Sequence, residues 1–124
     1  MSGLCLATAA FTLALPFQSF TLTWTHSIEK IRWEEDYRNS GQGLELVEAR
    51  VRGFGAGMEP PDGALLKDGV WHYQPRLHAL ERLRLARSSY VADYSLCWDG
   101  TCHPLGELAG APAAAPSVEF LPCD

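Results

Sequence analysis

Phe20-Thr21-Leu22-Thr23-Trp24-Thr25-His26-Ser27-Ile28 is the stretch that decides the fold. Its large side chains fall on even positions and its Thr and Ser on odd ones, the period-two pattern of a strand with one buried face. After Glu29 and Lys30 the bulky residues move to odd numbers, Ile31, Trp33 and Tyr37, while Arg32, Glu34, Asp36 and Arg38 take the even ones. Such a parity switch requires a turn or a bulge. Asn39-Ser40-Gly41-Gln42-Gly43 is then a polar connection to residues 44–51, where Val47, Ala49 and Val51 alternate with charged residues, so the segment reads as a hairpin.

Working outward, residues 1–28 contain no Asp, Glu, Lys or Arg, and residues 4–15 resemble the apolar centre of a signal peptide. A secretory leader begins with basic residues, and the first one here is Lys30, so the segment is expected to form buried strands punctuated by Pro16. A leader lost from a longer precursor, with Met1 added afterwards, fits the same observation. Leu4 stands before Cys5 where a lipoprotein acceptor needs a small residue.

Downstream, residues 53–63 hold four glycines with Pro60 and Pro61, a loop of the kind that often carries function. Residues 70–74 read as a short strand ahead of Pro75. Leu77 and Leu80 fit a helical stripe, but Leu83 and Leu85 between arginines favour a strand from Glu81 onward. Residues 90–98 place Ala92, Tyr94, Leu96 and Trp98 on one face, residues 109–116 read as an extended surface connection, and 117–122 as a last strand. About eight short, mainly antiparallel strands in one domain spanning 1–124 predict an all-β fold, a β-sandwich or small barrel.

Composition limits the function. The chain has 124 residues, 47% hydrophobic, which suits one core. A net charge of -5 opposes general binding to nucleic acid, whose phosphates attract a positive field. No run of eighteen apolar residues is present to span a bilayer as a helix, so a soluble chain is expected.

Four cysteines in a small chain are the usual mark of a disulfide framework formed in an oxidising compartment, and three pairings exist. Asp99-Gly100 is a two-residue hairpin signal that places Cys97 opposite Cys102 as a non-hydrogen-bonded pair, close enough to bridge. Cys5 then pairs with Cys123 by elimination and joins the chain ends. The cysteine spacing lacks the short knuckles of a structural zinc site, so no metal is expected there.

The densest polar cluster is His26, Ser27, Glu29, Lys30, Trp33, Glu34, Glu35, Asp36 and Arg38. The bland reading is a solvated sheet face, with Glu34, Glu35 and Asp36 relieved by Lys30, Arg32 and Arg38. His26 and Ser27, adjacent on a strand, point to opposite faces and cannot form a hydrolase pair, and no nucleophile elbow exists elsewhere. Arg76, Arg82, Arg84 and Arg87, with His72 and His78, read as a charged strand edge that guards against aggregation.

Four motifs in order carry a likeness: Trp24-Thr25-His26-Ser27-Ile28-Glu29-Lys30, Trp33-Glu34-Glu35-Asp36-Tyr37-Arg38, Gly55-Ala56-Gly57-Met58-Glu59-Pro60 and Cys97-Trp98-Asp99-Gly100. Over residues 4–105 the chain resembles the bacterial family called domain of unknown function eighteen-fifty. The genes of that family often neighbour the permease and binding protein of TAXI-type TRAP transporters. The resemblance therefore implies an exported, non-enzymatic accessory role in uptake of organic or amino acids, without catalytic residues or a cofactor.

The leading expectation is a periplasmic, or otherwise exported, binding or adaptor domain. His26, Glu29, Trp33 and Glu35 form one wall of its site, residues 55–61 with Met58 and Glu59 form the other, and Lys30 completes the binding residues. Its partner would be the TRAP transporter permease or its solute-binding protein, met by peripheral contact with the membrane protein. A second reading is a small-molecule module in which Lys30 or an arginine holds a carboxylate ligand. A third is a metal-dependent enzyme at His26, Glu29 and Asp36.

Overall fold

The structure, a computed structural model, describes residues 3–25, 30–52, 62–74 and 79–123. Eleven strands form among them: β1 (Gly3–Ala7), β2 (Thr12–Leu15), β3 (Ser19–Thr25), β4 (Arg32–Asn39), β5 (Leu44–Val51), β6 (Leu65–Lys67), β7 (Val70–Tyr73), β8 (Leu83–Ala86), β9 (Ser95–Trp98), β10 (Thr101–Pro104) and β11 (Ser117–Cys123). One helical turn, α1 (Gly106–Ala109), joins β10 to the last strand's approach. The strands make two antiparallel sheets, a four-stranded one in the order β2-β1-β11-β8 and a seven-stranded one in the order β10-β9-β3-β4-β5-β7-β6. The all-β expectation holds, with more strands than the eight expected.

Two turns share one chemistry. Asp68-Gly69 and Asp99-Gly100 both take positive φ at both residues, 52° and 79° in the first and 51° and 79° in the second. This is the backbone that a two-residue hairpin needs, because its twist matches that of the flanking strands. The second turn sets Trp98 opposite Thr101 and Cys97 opposite Cys102, and these cysteines are bridged at a Cα separation of 4.0 Å. Cys5 is bridged to Cys123 across β1 and β11. Both pairings are those expected, and the first and last strands lie side by side.

The sheets enclose one core. Leu4 and Leu6 of β1, Leu83 and Leu85 of β8, and Val118 and Phe120 of β11 join Phe20, Leu22, Tyr37, Leu44 and Leu96 of the larger sheet in a single apolar cluster. The Phe20 ring, 5.0 Å from that of Phe120 and 5.6 Å from that of Tyr37, stitches the two sheets. Gly43 is required where the chain enters β5: Leu44 exchanges two backbone hydrogen bonds with Leu80, and a Cβ on Gly43 would collide with the Leu80 carbonyl.

Four local expectations are corrected. Glu48 lies opposite Asp36 but Leu46 opposite Tyr37, so Val47 is an extra residue in a β-bulge. Leu46 packs on the core before the bulge and Ala49 and Val51 are buried after it, while Val47 turns outward instead of alternating with them. Residues 109–116 lie mostly at the surface as expected but are not extended: the Ala114 and Ala115 N–H groups donate to the Ala111 carbonyl in tight turns, and Ala109 and Ala115 reach into the core. The strand expected from Tyr90 begins only at Ser95, and Tyr90 is exposed.

Arg87, read as part of a guarding edge, is buried instead. Its guanidinium donates to both Asp93 carboxylate oxygens (3.0 and 2.7 Å), the Ala115 carbonyl (3.0 Å) and the Gly110 carbonyl (2.8 Å). Arg82 and Arg84, on or just ahead of edge strand β8, pair with Glu119. Arg76, Leu77 and His78 lie outside the described residues.

Candidate functional site

The pleat sorts the polar cluster onto two faces of the larger sheet. Trp33, Glu35 and Tyr37 of β4 lie opposite Trp24, Leu22 and Phe20 of β3, all on the core side. On the next strands Ala49 and Val51 of β5 continue this face to Tyr73 and Trp71 of β7. The four-stranded sheet caps the Phe20–Tyr37 end. The Trp24–Trp33 end is only partly buried, and Glu35 sits between the two regimes.

This end is an aromatic wall around one carboxylate. The Trp24 and Trp33 rings lie nearly parallel, 6.1 Å between centres and 12° between planes, and Tyr94 meets Trp24 edge-on at 5.7 Å. The Tyr37 hydroxyl donates to Glu35 Oε1 at 2.8 Å. Burial pushes the Glu35 carboxyl above its ordinary range, and the Tyr37 hydrogen bond offsets only part of that. Burial likewise raises the hydroxyl pKa of Tyr37, Tyr73 and Tyr94, and the nearby Glu35 charge raises all three further. Among the described residues, no Lys, Arg or His forms an ion pair with Glu35. Beside the wall opens a cleft of about 180 Å³ between Trp24, Tyr94 and residues 86–93.

The opposite face is chemically committed. Arg50 grips both Asp36 oxygens at 2.7 Å and reaches Glu34 and Glu48, Thr21 donates to Asp36 at 2.6 Å, and Glu48 meets His72 at 2.7 Å. Burial opposes the charge of Asp36, but the hydrogen bonds from Arg50 and Thr21, with the Arg50 charge, hold its carboxyl below the usual range. The bland reading is therefore right for Glu34 and Asp36, with Arg50 of β5 as the main relieving charge. A larger groove of about 500 Å³ on this face, lined by Thr21, Asp36, Arg38, Val47 and Asp99, is open, and its Asp36 and Arg38 are already paired.

Of the residues expected to form the site, Trp33 and Glu35 are brought together. Lys30 is exposed at the entry to β4 with φ 57° and forms no ion pair among the described residues. His26, Glu29, Met58 and Glu59 lie outside the described residues, so neither the second wall nor the expected metal set is described; Asp36 of that set is held by Arg50 and Thr21. Sequence reasoning missed Tyr73 and Tyr94 as neighbours of the carboxylate. The signal for Glu35 itself was present, because it has the parity of Trp33 and Tyr37 and so sits on an apolar face.

A raised carboxyl pKa fixes the sign of a pH effect. The unfolded carboxyl gives up its proton near 4.5 and the folded one higher, so its charge destabilises the fold as pH rises through that window. Glu35→Gln, which keeps an acceptor for Tyr37, is expected to be more stable than the parent at neutral pH. That advantage should fade as pH falls toward about 4.5 and be gone below it, as checked by urea unfolding at several pH values. An advantage that grows toward acid pH would refute the assignment.

Fold and site together define a disulfide-stapled, all-β domain whose larger sheet presents an aromatic wall around a half-buried acid. The family model described as domain of unknown function (DUF1850) matches residues 20–105, and the chain belongs to that family. That match takes in almost all of the seven-stranded sheet and the whole wall, and leaves out β1, β2 and β11. No curated protein and no solved structure matches the chain.

Proposed function

We propose that this domain is an exported, non-enzymatic accessory of a TAXI-type TRAP transporter for organic or amino acids, and that the Trp24–Trp33–Glu35 wall is its binding face. The observation that carries the reading is Glu35 itself. A carboxylate placed among indole and phenol rings, away from the arginines that serve its neighbours, costs stability, and such costs are typical of groups retained for recognition. Trp24 and Trp33 supply the apolar anchor that hot spots of interfaces favour.

Export is supported by the two disulfides, which persist in oxidising compartments. No helix among the described residues is long and apolar enough to cross a membrane. The transporter partner, its permease or its solute-binding protein, follows from the gene neighbourhood implied by the family resemblance.

The alternative, a carboxylate ligand held by Lys30 or an arginine, is less favoured at this face because Glu35 would repel it. Trp33→Ala should abolish co-purification with the transporter components while the bridged domain stays folded at assay temperature by circular dichroism. Undiminished co-purification would reject the wall as the binding face.

A further inference from the structure

We infer that the group this wall receives is an organic cation, a primary or quaternary ammonium, with Glu35 as its counter-ion. The inference rests on the reading of the wall as a binding face and adds the chemical class of what binds. Indole and phenol rings present negative faces, which attract a cation within about 6 Å of the ring centre. Here Trp24 and Trp33 stack, Tyr94 meets Trp24 edge-on, and Glu35 adds a carboxylate two residues along β4 from Trp33 on the same face.

The charge inventory sharpens the choice. Arg50 is engaged by Asp36, Glu34 and Glu48, Arg82 and Arg84 by Glu119, and Arg38 by Glu45, all away from the wall; Arg87 lines the cleft beside Trp24, but its charge is already met by Asp93. Tyr37 is the hydrogen-bond donor to Glu35 Oε1. A neutral donor satisfies one lone pair of a carboxylate and leaves its charge uncompensated, and an ammonium supplies both the remaining donors and the charge.

An anion at about 6 Å from Glu35 would be disfavoured by at least about a hundredfold at an effective dielectric of about 20. The adjoining cleft of about 180 Å³ leaves room for a short alkyl chain behind the charged head. The same ammonium chemistry is offered by a free amine or amino acid and by a lysine side chain of a partner protein.

The test is a nitrogen–proton NMR titration of the intact, disulfide-bonded protein, following the tryptophan indole signals. The probes are n-butylammonium, tetramethylammonium and butyrate at matched ionic strength. The expected result is a saturable shift of two indole signals with the two ammonium ions and none with butyrate, weakened by at least about tenfold in Glu35→Gln.

Loss of transporter co-purification in Glu35→Gln would assign the ammonium to a partner's lysine. Retained co-purification with lost butylammonium binding would assign it to a free amine. A response to butyrate alone, equal responses to butyrate and butylammonium, no response to any probe, or ammonium binding unchanged in Glu35→Gln would overturn the inference. The wall as a protein-binding face would then stand or fall separately on Trp33→Ala.

Discussion

Replacing Cys5 and Cys123 together by alanine is expected to remove about 4–5 kcal/mol of stability, the largest loss from any single feature of the molecule. The bridge joins residues 118 apart, so breaking it returns to the unfolded chain nearly all the freedom of a closed loop as long as the protein. The same relation gives only about 2 kcal/mol for Cys97–Cys102, which closes a hairpin already set by Asp99-Gly100. Urea unfolding of the two double variants under identical conditions checks the order. Equal losses, or a larger one at Cys97–Cys102, would mean that the terminal bridge does not hold β1 against β11 as described.

Arg87→Met is expected to cost about 3–5 kcal/mol, because it strands a partly buried Asp93 carboxylate and two carbonyl groups at once. The arginine ties three stretches of chain together: the end of β8, the 88–93 segment and the 110–115 turns. Arg87→Lys should recover little, since a single ammonium cannot fork to both oxygens of Asp93 while reaching two carbonyls in different directions. Arg87→Met with Asp93→Leu removes both charges and should be less damaging than the single change. A single variant as stable as the parent in urea would contradict this account of the buried pair.

These features differ in how they could be read from the chain. The Cys97–Cys102 hairpin was legible because its determinants are local: a dipeptide that accepts positive φ, and two cysteines at the mirrored positions. Asp68-Gly69 carries the same instruction, yet β6 was missed because Leu65-Leu66-Lys67 does not alternate and buries neither leucine. Glu35 was legible by parity alone, as a charge on the apolar beat of β4.

Arg87 was not legible, since what buries it is supplied by residues 23 and 28 positions away. The bulge at Val47 was hidden for a related reason. One extra residue in a strand leaves no compositional trace, and only pairing with β4 reveals that Leu46 and Ala49 share a face. Partner choice among strands, and so the order of both sheets, is likewise a property of the assembled core.

The central claim is that the aromatic, core-side end of the larger sheet is the working face and the ion-paired outer face is not. Photo-cross-linking in intact cells from position 92, on the exposed rim of the cleft beside the wall, with position 47 on the outer face as its counterpart, tests this most directly. The account predicts a discrete adduct from position 92 that disappears in Glu35→Gln, and none from position 47. An adduct from position 47 with none from position 92 would contradict it.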